Sequence, residues 1–153
     1  MSFKLPVELL PHRPPMIVIS AVEAVDIDDG TLTARVDVHQ EDILYQESFG
    51  GVPSYAAIEY MAQAIGCFVG YYDLSQGKKP GVGFVLGTRK LEVLAPVLKK
   101  GESYLIDVKS LFCDETIASF DCKIKNKDNN LVATAILNAY RPDDIEHFMK
   151  EYK

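Results

Sequence analysis

Tryptophan is absent from this 153-residue chain, and histidine and cysteine occur only three times each. The cysteines, Cys67, Cys113 and Cys122, have no metal-ligand spacing, and an odd count does not build a disulfide framework. Two of them fall in apolar helix or strand positions and read as small buried hydrophobes. Basic charge is also short: 16 Lys and Arg stand against 22 Asp and Glu, a net charge of −6. That balance excludes the clustered cationic surface a nucleic acid needs. The single basic run, Lys99-Lys100, sits beside a glycine and reads as a solvated turn, which gives no support to an acidic or membrane partner. The opening stretch "MSFKLPVELLPHRPP" has no apolar core of a secretory signal, so a reduced, cytoplasmic setting is expected. Repeats, low-complexity tracts and linkers are missing too. The expectation is one domain over residues 1–153, long enough to bury a real core.

What is present is a clear order of elements. "MIVISAVEAVDI" and "TLTARVDV" flank Asp28-Asp29-Gly30, a strong hairpin signal. In the second run Leu32, Ala34, Val36 and Val38 alternate with polar residues, the period of a half-buried strand. A loop, "HQEDILYQESFGGV", leads to Pro53, which suits a first helical position. The Ala-, Met- and Gln-rich segment after it is helical by propensity and stops near residues 73–77. Four strand patterns follow: "VGFVLGTRKLEVLAP", "SYLIDVKSLF", "TIASFDCKIK" and "LVATAILNAY". "PDDIEHFMKEYK" predicts a short closing helix, with acids in its first turn, lysines in its last and a stripe of Ile145, Phe148, Met149 and Tyr152. The fold class is therefore α+β, with a curved antiparallel sheet wrapped around one long, almost entirely apolar helix.

That helix raises the functional question. From residue 54 to residue 72 the only charged side chain is Glu59, and Gln63 lies one turn on along the same face. The run approaches the length of a membrane span, about 18–20 residues. Glu59, Gln63, Gly66 and Gly70 interrupt it, and the amphipathic strands need a core, so a buried soluble helix is expected. An unpaired carboxylate in such a setting is costly. Either a cation such as Arg13 or Arg89 pairs with Glu59, or the carboxyl is placed to exchange a proton with a substrate.

Three stretches favour the second reading by resemblance. "LPHRPPMIVI" resembles the Leu-Pro-His-Arg-Tyr-Pro-Phe-Leu-Leu opening of the β-hydroxyacyl-acyl-carrier-protein dehydratases. "IEYMAQAIG" resembles their helix motif Glu-Ala-Met-Ala-Gln-Ala-x-Gly, and "GFVLGTRKLEVLAPVLKKGE" resembles their Phe-Leu-x-Gly strand and Pro-Val-x-x-Gly-Asp turn. The matches fall in order and span most of the chain. They are closer still to the dehydratase-like subgroup of aryl polyene clusters. The resemblance implies a hotdog fold, acting as a homodimer or as a heterodimer with another hotdog dehydratase. An acyl thioester on the phosphopantetheine arm of an acyl carrier protein would enter a tunnel between protomers and lose water to give the trans-2-enoyl product. No metal or bound cofactor is implied. Glu59 corresponds to the family's helix carboxylate, which protonates the departing hydroxyl, and Gln63 to the glutamine that orients it. Ser54 and Tyr55 occupy the helix start, where the family binds the thioester carbonyl through a backbone amide.

One departure matters. The family's catalytic histidine lies in Gly-His-Phe-Pro-Gly-x-Pro, and here the run is "ESFGGVP", with Ser48 at the histidine position. A serine has no basicity near neutral pH. Of the histidines present, His39 falls on the polar side of its strand and His147 opposite the apolar stripe of the last helix. His12, stiffened by the prolines of "PHRPP", is the candidate base within a motif, although the family also carries a histidine there beside its catalytic one. Tyr45, Tyr55 and Tyr60 are candidate tunnel residues or core tyrosines with satisfied hydroxyls. Three functions remain open: a dehydratase, a non-catalytic hotdog subunit paired with an active one, and a hotdog thioesterase using Glu59 as base.

Overall fold

The computed structural model describes Lys4 and residues 6–9, 17–77, 85–113 and 117–140. Its first half contains helix α1 (Pro6–Leu9), strands β1 (Ala21–Asp26) and β2 (Thr31–Asp37), a 3-10 turn over Glu47–Phe49, and β3 (Gly51–Pro53). A second 3-10 turn, Ser54–Ala56, leads into helix α2 (Ala57–Ser75). Then follow β4 (Val85–Val93), β5 (Val97–Lys99), β6 (Ser103–Cys113), β7 (Ile117–Lys125) and β8 (Leu131–Tyr140). The helix expected over residues 142–153, with His147, lies outside the described residues, as do His12 and Arg13.

Six strands form one antiparallel sheet in the order β1-β2-β6-β7-β8-β4. The two-residue period places Leu32, Ala34 and Val36 of β2, Ile106 and Val108 of β6, and Phe120, Cys122 and Ile124 of β7 on one buried face. The opposite face is solvated and carries cross-strand ion pairs, Arg35 with Glu23 and Lys125 with Asp107 at 2.8 Å. Helix α2 lies against the apolar face, giving the expected hotdog arrangement. Phe68 of α2 meets Phe120 of β7 edge to face, with centroids 5.7 Å apart. From Ala64 to Gly70 every helix residue is buried, so no polar face exists there to hydrate. No described helix is long and apolar enough to cross a membrane.

Local signals explain the ends of these elements. The β1–β2 turn is held by Asp26 Oδ1, which accepts from the Asp29 N–H at 3.0 Å, and by Gly30 at φ 73°. Gly77, at φ 74°, follows the end of α2. A Cβ on Gly70 would sit 2.8 Å from the Leu9 carbonyl oxygen, so α1 packs on α2 only because that residue is glycine.

Three expectations need adjusting. The first strand begins at Ala21 rather than near residue 16, because the Val18 and Ile19 amides turn to Gln63 of the helix and Ser20 is the first to reach β2, its N–H donating to the Arg35 carbonyl at 2.9 Å. Pro53 ends β3, and the 3-10 turn rather than the proline opens the helix. The loop before the helix and the supposed solvated turn also contain strand: β3 pairs with β5 through Val52↔Leu98, as a separate two-stranded sheet.

Candidate active site

Helix α2 is enclosed all round along its middle but on one side only along its first turns. Tyr55 is 63% exposed, and Ile58, Glu59 and Ala62 are half-buried. At helical spacing these positions share one side, so the helix presents an open stripe with a carboxylate in its centre.

Gln63 fixes that carboxylate. Its side chain is 1% exposed, and its Oε1 accepts from the Val18 N–H at 2.9 Å and the Ile19 N–H at 3.4 Å. Two backbone donors define the amide's orientation, so Nε2 must point the other way. It donates to Glu59 Oε1 at 3.1 Å. Val18 and Ile19 thus stay outside the sheet for a reason: their amides are used to aim a glutamine. Among the described residues none forms an ion pair with Glu59; Arg13 and the Arg89 side chain lie outside them. Glu59 is also less enclosed than the apolar run implied: it is half-buried, while Ala57, Tyr60 and Met61 around it are wholly buried.

The other candidates separate. Ser54 is 1% exposed, its hydroxyl donates to the Ala95 carbonyl, and its N–H donates to the Pro96 carbonyl at 3.1 Å. Both donors are engaged, so Ser54 fastens the start of the helix to the segment between β4 and β5. Tyr55 and Ala56 follow it in the 3-10 turn, which the Ala57 N–H closes onto the Ser54 carbonyl. The Tyr55 hydroxyl accepts from Gln46 Nε2 at 3.1 Å. Ser48 is exposed on the Glu47–Phe49 turn. His39 is exposed beside Glu41, with Nδ1–Oε2 at 3.2 Å. Tyr60 is wholly buried and donates its hydroxyl to Asp42 Oδ2 at 2.8 Å. Burial first, then the Asp42 charge, raise its pKa far above the ordinary tyrosine value. Burial pushes the Cys67 and Cys122 thiols up to about 12, so neither is a nucleophile.

The ApeP-like family model, described as ApeP dehydratase, matches residues 5–150. The chain belongs to the ApeP-like dehydratase family. A solved structure similar to this ApeP-like chain is the dehydratase heterocomplex ApeI:P from Xenorhabdus doucetiae. It has 26% identity, covers 99% of each chain and has a TM-score of 0.88. The PaaI protein of the E. coli phenylacetic acid degradation operon is similar at 14% identity, with 78% and 81% coverage and a TM-score of 0.59. A hypothetical thioesterase with coenzyme A from Streptococcus pneumoniae is similar at 17% identity, with 78% and 82% coverage and a TM-score of 0.58. These last two likenesses show the shared hotdog fold alone.

Two features of this ApeP-like site were not read from sequence. One is the buried Asp42, in a loop where nothing local distinguishes it from the exposed Glu41. The other is the use of the Val18 and Ile19 amides on Gln63, a contact across 45 residues. Gln63→Leu should therefore destabilise the fold by about 1–3 kcal/mol, because it strands a buried amide donor. Thermal melts of the variant beside the parent protein check this; an unchanged midpoint contradicts the clamp.

Proposed function

We propose that this chain removes water from 3-hydroxyacyl thioesters carried on an acyl carrier protein, giving trans-2-enoyl thioesters in aryl polyene or fatty acid synthesis in the cytoplasm. The observation that carries this is the carboxyl of Glu59, held by a buried glutamine at the open stripe of an otherwise enclosed helix in an ApeP-like chain. A base removes the Cα proton, the electron pair forms the Cα–Cβ double bond, and the Cβ–O bond breaks. The hydroxyl leaves as water, taking its proton from Glu59. The Tyr55 amide lies at the helix's positive end, suited to negative charge growing on the thioester oxygen.

The base is the open part of the assignment. His12 is the candidate within the chain, and a second hotdog dehydratase is the candidate beyond it. The likeness to a chain of the ApeI:P heterocomplex supports such pairing, and a stripe left open at Glu59 leaves room for a partner to close a tunnel. The exposed Ser48, in place of an imidazole, favours a second reading in which this chain only completes a partner's tunnel.

The test is enoyl formation from 3-hydroxyacyl carrier proteins by the chain alone and with a hotdog partner dehydratase. Turnover that His12→Ala abolishes places the base in this chain. Turnover requiring the partner places it there. Free acid as the product would instead mark a thioesterase.

A further inference from the structure

Between β2 and β3, over residues 39–50, burial is inverted. Ile43 is 43% exposed and Phe49 is 47% exposed, while the one buried side chain of the segment is a carboxylate, Asp42 at 9%. A chain that wanted only an apolar anchor would have buried the isoleucine. Asp42 is held instead by directed contacts. Oδ2 accepts from the wholly buried Tyr60 hydroxyl at 2.8 Å, and Oδ1 accepts from the Leu44 N–H at 2.8 Å. Its own N–H donates to His39 O at 3.1 Å, and its carbonyl accepts from Tyr45 N–H at 2.9 Å. Every polar group of residue 42 is committed, and among the described residues no cation pairs with it.

A second tie joins the same segment to the helix, Gln46 Nε2 to the Tyr55 hydroxyl. Tyr55 and Tyr60 stand on either side of Glu59 along the chain. The segment is therefore fastened at two points, to the 3-10 turn that opens the helix and to the first turn of α2, beside the open stripe. A hydrogen bond is directional where an apolar contact can slide, so the Tyr60–Asp42 pair fixes a position as well as filling space.

We propose that Tyr60 and Asp42 are positioning residues: their hydrogen bond sets residues 39–50 as a fixed wall beside Glu59, against which the 3-hydroxyacyl chain is aligned for protonation. The role in alignment rests on the dehydratase reading; the fastening does not.

Tyr60→Phe tests it, since the ring still fills the core and only the hydroxyl is lost. Amide hydrogen exchange on the full chain should show the Leu44 N–H exchanging on the order of tenfold faster, the effect of one lost hydrogen bond. With carrier-bound substrate, kcat should fall on the order of tenfold through misalignment, with KM little changed. Asp42→Asn should act through the same contact, so the double variant should be no worse than the worse single one. Unchanged exchange at Leu44 in Tyr60→Phe overturns the fastening, whether or not any turnover is found. Faster exchange with an unaltered kcat overturns the alignment role and leaves the dehydratase reading standing. Strictly additive effects of the two substitutions overturn the pairing itself.

Discussion

Glu59→Gln should lower kcat about 100- to 10,000-fold, the range general acid catalysis contributes, while leaving the fold in place. The reason lies in Gln63. Its Nε2 already donates to Glu59 Oε1 at 3.1 Å, and a glutamine at position 59 offers a carbonyl oxygen for the same hydrogen bond. Its own NH2 then faces the open stripe, where it can donate a hydrogen bond to a hydroxyl but cannot give up a proton. Shape and packing are kept and the acid is lost. Steady-state kinetics with a carrier-bound 3-hydroxyacyl substrate, beside a thermal melt, check both halves. Full activity in the variant would show that Glu59 transfers no proton; a collapsed melt would show that its role is structural.

Gly51→Ala should cost about 3 kcal/mol or more, at or beyond the upper end of ordinary overpacking. A Cβ there would sit far inside van der Waals contact of the Leu98 carbonyl oxygen, with the Lys99 Cα at 3.1 Å. These are backbone atoms of β5, so no flexible side chain can swing aside. Relief requires opening the β3–β5 ladder, including the Gly51↔Lys99 and Val52↔Leu98 pairs. Pro53 and Ser54 follow directly, so the same opening would shift the start of α2 and the Glu59 stripe with it. Chemical denaturation should show a large loss of stability, and enoyl formation should weaken along with it. A variant as stable as the parent would mean that β3 does not approach β5 so closely.

Much of this was legible in the sequence where a pattern is local. Asp28-Asp29-Gly30 forms its turn, the alternation of Ala118, Phe120, Cys122 and Ile124 became the buried face of β7, and the apolar run became the enclosed helix. The Glu59–Gln63 neighbourhood follows from the i, i+4 spacing alone. What escaped depends on distant partners. β3 and β5 are three residues each, too short to show a period, and only their pairing makes them strands. Ser54 has the composition of a substrate-facing residue at a helix start, yet the Ala95 and Pro96 carbonyls take both of its donors. Asp42 reads as one more loop acid until the Tyr60 hydroxyl is brought against it.

The proton-donor role of Glu59 in water loss is tested most directly by mass analysis of a 3-hydroxyacyl carrier protein. The carrier is incubated with this chain and a hotdog partner, using either the parent sequence or Glu59→Gln. The expected result is a carrier-bound product lighter by one water with the parent chain, and unconverted substrate with the variant. Equal conversion by both chains, or release of the acyl group as free acid, would contradict it.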